Sequence, residues 1–428
     1  MNTKTLYQLF QKTGKVCTDT RQMEDGCLFF ALSGENFNGN RFAPQALEKG
    51  AVAVIVDDPE VVPPDNDPRY ILVENSLQAL QELAQYHRCQ FTLPVLAITG
   101  TNGKTTTKEL CAAVLASEKN ICATQGNFNN HIGVPLTLLN INKQTEVAIV
   151  EMGANHPGEI AALCQMAQPT HGLITNIGKA HLEGFGDFDG VIKTKNELYQ
   201  WIKSKDGLVF VHRNNPLLME LSGQIRRITY GTPPADVAGI LKQNQTSIVV
   251  EWEKYGEIKT RLYGSYNFAN VMAAIAVGNY FGVKNNNIRQ AIEKYEPKNN
   301  RSQWVFSSHN QIILDAYNAN PESMALAIDD FVGHHFPHPL LILGDMFELG
   351  KAEEAEHLKI VEKLKNTGID DIILTGKAFY KAGAGTPWKR FKTTEEAIRF
   401  LQSHPVKNRH ILVKGSRGMA LESLIQYL

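Results

Sequence analysis

Seven consecutive residues, Gly100-Thr101-Asn102-Gly103-Lys104-Thr105-Thr106, have the composition of an anion-binding turn. Glycines let the backbone bend so that several amides face one charge, and a following helix adds the positive end of its dipole. Lys104 could reach outer phosphates, and the Thr105 hydroxyl could hold Mg²⁺. The common spelling is G-x-x-x-x-G-K-[ST]. Its first glycine would fall on Ile98, whereas here the glycine comes at Gly100. The plain alternative is a strand-to-helix turn with a surface lysine. Further on, the apolar run VAIV ends at Glu151. A carboxylate at the carboxyl end of a parallel strand lies on the ligand side of the sheet, so Glu151 is a candidate Mg²⁺ ligand. His181 follows another apolar run. A single histidine is more often structural than a ligand, but beside Thr105 and Glu151 it completes a candidate metal set.

These residues need elements to position them. VLAITG, VAIVEMG, HGLITNIG and GLVFVH read as buried strands with helical stretches between, the pattern of a parallel, helix-covered sheet. The polar stretch from Asp236 to Gly264 reads as antiparallel, with a tight hairpin turn of the I′ or II′ kind at Gly256. SYNFANVMAAIAVGNYFGV reads as a small-residue helix ending at Gly282. Before Pro94, CLFFAL, AVAVIV and YILVEN read as strands. FAPQALEKG and SLQALQELAQYHR read as helices, the second capped by Ser76. VPPDNDPR reads as a loop. From about Asn299 the alternation restarts: QIILDAY, PLLILGDM, DIILTG and HILVKGS as strands, PESMALAIDDF, EEAEHLKIVEKLK and TEEAIRFLQS as helices. That is a second, smaller doubly wound unit.

The chain has 428 residues, too many for one ordinary core, so two or three α/β domains are expected. A formal net charge of −1 offers no field that would recruit nucleic acid or an anionic membrane. The start has no apolar stretch of signal-peptide length, and no apolar run is long enough to span a bilayer, so a cytoplasmic protein is expected. Six cysteines without C-x-x-C spacing are expected to be reduced and partly buried. His334 to His338 (HHFPH) reads as a solvated loop rather than a metal site.

Together, TGTNGKTTTKE, GNFNNHIGVPLTLL, VEMGANHPGEI, NIGKAHLEGFG, KTKNEL, GSYNFANVMAAIA, LDAYNANPESM, LGDMFELG and VKGSRGM closely resemble the Mur ligases, in order and over nearly the whole chain. The short phosphate loop is that family's own form. YNANP, LGDMFELG and NNHIGVP resemble the branch that adds D-Ala-D-Ala to UDP-MurNAc-tripeptide. The resemblance implies three domains: a small mixed α/β UDP-binding domain (1–92), a central P-loop parallel-sheet ATPase domain (93–298) and a Rossmann-like domain (299–428). It implies ATP-driven amide formation through an acyl phosphate, Mg²⁺, domain closure and a monomer.

Residue by residue, the resemblance implies that Lys104 meets the β,γ-phosphates within a nucleotide loop running from Gly100 through Thr101, Asn102, Gly103 and Thr105 to Thr106. Thr105 and Glu151 would bind Mg²⁺, His181 a second metal, and Lys195 would be carbamylated. Asn130 would lie near the γ-phosphate. Asn267 and Asn270 would flank adenine. Arg301 would reach the phosphates, and Asp315, Tyr317, Asn318 and Asn320 the ribose. Thr18, Asp19, Thr20 and Arg21 match the uridine turn, with Gly39, Asn40, Arg41 and Phe42 near the diphosphate. The chain departs from many relatives at Asn40 and Tyr266, where they carry histidine, and at Ala316, where they often carry aspartate. Two other readings remain: a folylpolyglutamate-type ligase, which shares the loop but would lack the TDTR domain, and a nucleotide-dependent switch without ligase chemistry. The chain has no guanine-specifying N-K-x-D stretch.

Overall fold

The computed structural model describes residues 2–34, 37–65, 67–243 and 246–428. Three large sheets succeed one another along the chain, with a two-stranded antiparallel pair, Ser33–Gly34 and Phe37–Asn38, beside the first. The first has four parallel strands in the order Val16–Cys17, Leu28–Phe30, Ala53–Val56, Tyr70–Leu72. The third has six, in the order Gln303–Phe306, Gln311–Asp315, His410–Lys414, Pro339–Gly344, Ile372–Thr375, Lys389–Phe391. Only its first pair is antiparallel.

Between them lies a nine-stranded sheet that carries the phosphate loop. Its strands run in the order Gly256–Lys259, Ile248–Trp252, Val237–Gln243, Arg226–Gly231, Leu208–His212, His171–Ile174, Val95–Thr99, Val147–Glu151, Ile121–Ala123. Seven of them are parallel neighbours; the antiparallel stretch expected from the sequence is the far edge of this same sheet, joined through Tyr230 opposite Val237. The Gly256 turn differs from the expected two-residue type. Trp252 pairs with Gly256, leaving a three-residue loop, 253–255; Lys254 within it and Gly256 just after it take positive φ.

Every residue of Val95–Thr99 and Val147–Glu151 is buried, because helices cover both faces. One cover is the helix Asn267–Tyr280, buried on nearly all sides, against the helix Lys104–Ala116. Its small residues permit the approach: a Cβ at Gly278 would stand 2.4 Å from Val114 Cγ1. The other expected helices form at Ala43–Glu48, Ser76–Arg88, Pro321–Gly333, Glu353–Lys365 and Thr394–Ser403. Ser76 is not the cap. It is the first helical residue, and the Asn75 side chain accepts from Gln78 N–H instead. All six cysteines are free; Cys27, Cys111, Cys122 and Cys164 are buried. Among the described residues no helix is long and apolar enough to cross a membrane. HHFPH is only partly a solvated loop: Phe336 stacks between His334 and His410, at 5.1 and 4.7 Å.

The first and second sheets share one continuous apolar cluster, running from Leu6, Tyr7 and Phe10 through Leu80 and Leu83 to Val134 and Leu163. Buried Arg88 sits at this junction. Its Nε donates to Ala167 O (2.9 Å), Nη1 to Phe91 O (2.6 Å) and Nη2 to Leu93 O and Gln168 O. Removing the guanidinium strands buried carbonyls, so Arg88→Ala is expected to cost about 2–3 kcal/mol. A lowered urea midpoint for the transition of these two units checks it.

Candidate active site

The phosphate loop is held by its neighbours at Thr101 and Asn102, while the amides from Gly103 onward stay uncommitted. Thr101 N–H donates to Asn176 O, and Asn102 N–H to Asn176 Oδ1, both at 2.9 Å. Asn102 O accepts from Thr175 Oγ1 (2.6 Å) and Asn176 Nδ2 (3.0 Å). Gly103 (φ +78°) begins the helix with no side-chain cap. The N–H groups of Gly103 to Thr106 have no protein acceptor among the described residues. Four free amides at a helix N-terminus are an anion cradle. Both glycines are required: a Cβ at Gly100 would stand 2.1 Å from Thr175 Oγ1, and one at Gly103 2.7 Å from Asn270 Oδ1.

Lys104 curls over this loop, donating to Gly100 O (2.7 Å) and Thr101 O (2.9 Å). Burial pulls its pKa down to about 8, against the opposing pull of Glu151. Glu151 is 1% exposed. Its Oε1 accepts from Thr105 Oγ1 (3.1 Å) and Asn129 Nδ2 (2.8 Å). Its Oε2 is buried with no hydrogen-bond partner, and Lys108 Nζ stands 3.9 Å away. A carboxylate oxygen left bare at a loop of this kind suits a divalent cation.

A cavity of about 790 Å³ opens above the loop. It gathers Thr101 to Thr106, Asn130, Glu151, His181, Asn267, Asn270, Arg301, Asp315, Tyr317, Asn318 and Asn320. Gly100 lies just beneath. Lys195 is not on the cavity wall. It is 2% exposed within the helix Phe188–Ser204, its Nζ reaching Ala154 O (3.4 Å) and standing over the Phe185 ring. Burial and then the charge of Lys104 lower its pKa to about 7. His181 adopts φ +52° and turns Nδ1 onto the Glu348 carboxylate, which this contact holds below its usual pKa.

The third sheet supplies the opposite wall. The Arg301 guanidinium lies 3.7 Å from the Tyr317 ring centroid, and Arg417 approaches the same ring at 5.2 Å. Asp315 accepts from the buried Lys414 ammonium and from Ser302 N–H. Asn318 Oδ1 accepts from Ala319 N–H. Asn320 caps the helix Pro321–Gly333 and donates to Asn102 Oδ1 at 2.7 Å. Asn102 Nδ2 in turn donates to Glu322 Oε2. Asn267 and Asn270 of the small-residue helix are engaged in a chain: Thr107 Oγ1 donates to Asn270 Oδ1, Asn270 Nδ2 to Asn267 Oδ1, and Asn267 Nδ2 to Tyr263 O.

Two expected placements differ in detail. Asn130, expected at the phosphate, uses Oδ1 to accept from Ile132 and Gly133 N–H; its neighbour Asn129 carries the contact to Glu151. The amino-terminal set lies outside the cavity. Asp19 accepts from Arg21 N–H and pairs with its guanidinium, beside Thr18 and Thr20. Gly39, Asn40, Arg41 and Phe42 form one 3₁₀ turn. Buried Asn40 exchanges hydrogen bonds with Asp57, so it braces this turn. Sequence reading passed over Asn176, Glu322, Glu348 and Lys414, and the adjacent asparagines of NFNN left the choice between Asn129 and Asn130 open by one position. Glu348 and Lys414 stood inside motifs already singled out, LGDMFELG and VKGSRGM.

Three family models match the chain: "Mur ligase family, catalytic domain" at residues 14–88, "Mur ligase middle domain" at 98–278 and "Mur ligase, glutamate ligase domain" at 300–417. UDP-N-acetylmuramoyl-tripeptide–D-alanyl-D-alanine ligase of Bacillus subtilis is 35% identical, covering 96% of this chain and 92% of that protein. The chain belongs to the Mur ligase family. The Escherichia coli protein of the same name is 34% identical, over 96% and 93% of the two chains. Among solved structures, MurF from Acinetobacter baumannii superposes with a TM-score of 0.86 at 30% identity, over 98% and 97%. MurF ligase from Thermotoga maritima in complex with ADP gives 0.83 at 26% identity, over 97% of each. Folylpolyglutamate synthase of Mycobacterium tuberculosis shares the fold, at 0.64 and 16% identity, over 82% and 94%. This Mur ligase therefore has the α/β architecture expected from its sequence.

In this Mur ligase the free Lys104 ammonium titrates near 8, and a bound polyphosphate must raise that value. Polyphosphate binding is therefore expected to take up protons above about pH 7.5 and none below about pH 6.5. Calorimetry in two buffers of different ionisation enthalpy measures it, and Lys104→Met should abolish the uptake.

Proposed function

We propose that this Mur ligase is an ATP-dependent amide ligase that joins D-Ala-D-Ala to UDP-MurNAc-tripeptide, giving UDP-MurNAc-pentapeptide, ADP and phosphate. The observation that carries the reading is the cavity itself, where a phosphate loop with four free amides faces Arg301, Asp315 and Lys414 of the third sheet. The names of the full-length relatives and the ADP in the T. maritima structure support it. The same reading takes the chain as a cytoplasmic monomer built of three domains, 1–92, 93–298 and 299–428. Thr18 to Arg21 and Gly39 to Phe42 hold the UDP end, Asn267, Asn270 and the Asp315–Asn320 loop the nucleoside, and Asn130 the neighbourhood of the γ-phosphate.

A carboxylate is a poor acylating agent, and phosphorylation supplies its leaving group. The terminal carboxylate of the tripeptide attacks the γ-phosphorus, and ADP leaves with the bonding pair. The ammonium of D-Ala-D-Ala gives up a proton, the free amine attacks the acyl carbon, and the tetrahedral adduct expels phosphate as the nitrogen loses its second proton, both protons passing to solvent or phosphate oxygens. Such transfers ask for positioning and charge neutralisation more than for a protein nucleophile. The loop amides and Lys104 hold the β- and γ-oxygens, and Arg301 meets them from the other wall. Glu151 and Thr105, with His181, are the set for Mg²⁺; the bare, buried Glu151 Oε2 supports the fit. When bound, Mg²⁺ neutralises charge on the phosphates. Lys195 is read as a carbamate. A pKa of about 7 leaves much of the amine neutral, the form that adds CO₂, and the product carries the negative charge a metal-side residue needs.

The test is phosphate release from ATP with UDP-MurNAc-tripeptide, with and without D-Ala-D-Ala, using diaminopimelate and lysine tripeptides in parallel. Release that needs both substrates, with a pentapeptide by mass, is expected; release indifferent to the dipeptide sends the reading to folate-type substrates. Lys195→Ala is expected to abolish ligation, with partial return on adding a short-chain carboxylic acid; a fully active variant removes the carbamate. Arg301→Ala is expected to lower kcat roughly 10- to 100-fold with KM for ATP little changed.

A further inference from the structure

Five carboxylates line the cavity: Glu151, Glu159, Asp315, Glu322 and Glu348. Four have assigned work. Glu151 takes the Thr105 hydroxyl and the Asn129 amide. Glu159 accepts the N–H groups of Asn155 and His156 at the start of its own helix. Asp315 is neutralised by Lys414. Glu322 accepts from Asn102 and is walled in by Gly178, where a Cβ would stand 1.7 Å from its Oε2. Glu348 has one partner among the described residues, the His181 ring, and its side chain is half exposed to the cavity.

The segment that presents Glu348 is rigidly built. Glu348 stands at φ +63°, a left-handed conformation that a glutamate adopts only when its surroundings impose it. Asp345, at the base of the turn, accepts the N–H groups of Ala378 (2.9 Å) and Phe379 (2.8 Å). Met346 N–H donates to buried His357 Nε2, and Phe347 N–H to Ser416 Oγ. Strain and scaffolding of this order at a half-exposed carboxylate whose one partner among the described residues is the His181 ring mark a ligand-facing group. Its position is across the cleft from the phosphate loop and beside His181, both on the middle sheet's side.

We infer that Glu348 docks the ammonium of the incoming dipeptide and so selects an amine as the acceptor. This rests on the ligase reading. D-Ala-D-Ala arrives as an ammonium, and a carboxylate not already neutralised by a lysine or arginine is the group that recognises one. Glu159 and Glu322 also lack a lysine or arginine partner, but they are held by N–H groups of Asn155, His156 and Asn102. Glu348, whose one partner among the described residues is the His181 ring, is among the more exposed of the cavity's carboxylates and comes from the third sheet's wall.

The test compares D-Ala-D-Ala with D-lactoyl-D-alanine, in which a hydroxyl replaces the ammonium, in the full-length protein with ATP, Mg²⁺ and UDP-MurNAc-tripeptide. The native protein is expected to prefer the ammonium dipeptide by about 10-fold or more, as KM against the inhibition constant of the analogue. In Glu348→Gln, KM for D-Ala-D-Ala should rise about 10-fold and the preference fall towards one, while KM for ATP stays within about twofold. Glu348→Asp should keep part of the preference. A lowered kcat with the preference intact overturns the inference, since Glu348 then acts by orienting His181. A raised Mg²⁺ requirement with the preference intact overturns it too, since the charge then serves the metal. If the native protein itself releases no phosphate on adding the dipeptide, the ligase reading fails first; an active native protein with an unchanged variant sinks this inference alone.

Discussion

Everything at the centre of this molecule depends on keeping four backbone amides unpaired. A buried N–H without an acceptor is costly, and a loop left to itself would satisfy its amides by folding back on its own carbonyls. Here those carbonyls are taken by other groups. Lys104 occupies Gly100 O and Thr101 O, and Thr175 with Asn176 occupies Asn102 O. With the acceptors removed, the amides of Gly103 to Thr106 face the cavity. The neighbouring strand His171–Ile174 exists in part to deliver Thr175 and Asn176 to that spot, and the buried helix Asn267–Tyr280 to press Asn270 against Gly103. An anion entering the cradle meets donors already aimed at it.

The same logic sets the charges around the loop. Lys104, Lys108, Lys195 and Lys414 are all wholly or largely withdrawn from water, and each is answered by an oxygen rather than by solvent. Three of them sit on the middle sheet's side and one on the third's. Burial lowers the pKa of Lys104, Lys108 and Lys195, so each holds its proton less firmly than a solvated lysine. Lys104, the one at the phosphate loop, becomes more firmly charged when phosphate oxygens enter, which couples nucleotide entry to the electrostatics of the cavity.

Much of this was legible in the sequence, for a local reason. A run such as VLAITG or VAIVEMG ends where the strand ends, and the residue at that end must face the ligand side, so Lys104, Thr105 and Glu151 declare themselves. The rest depends on distances between segments far apart in the chain. Asn129 and Asn130 are adjacent, and only the turn that follows decides which one meets Glu151. Lys414 and Glu348 look like ordinary surface charges until Asp315 and His181 appear beside them, 99 and 167 positions away. Asn40 is the converse case: a polar residue at an expected binding turn whose side chain is consumed by Asp57. Ser76 lost its capping role to Asn75 by one residue, a margin that composition does not resolve.

The two joints of the molecule are made of different materials. Between the first and second sheets the joint is apolar and continuous, sealed by Arg88. Between the second and third, the Tyr263 ring is buried in the third unit's apolar cluster, but around the cavity the joint is polar: Asn320 to Asn102, Asn102 to Glu322, and His181 to Glu348. Water can replace those contacts at little cost, and it cannot replace the apolar ones. A small molecule that bound both polar faces at once would therefore act as an adhesive. Its residence time would be governed by prising two bodies apart rather than by leaving one pocket, which makes this seam, more than the phosphate cradle, the place where a slow-dissociating inhibitor gains its hold.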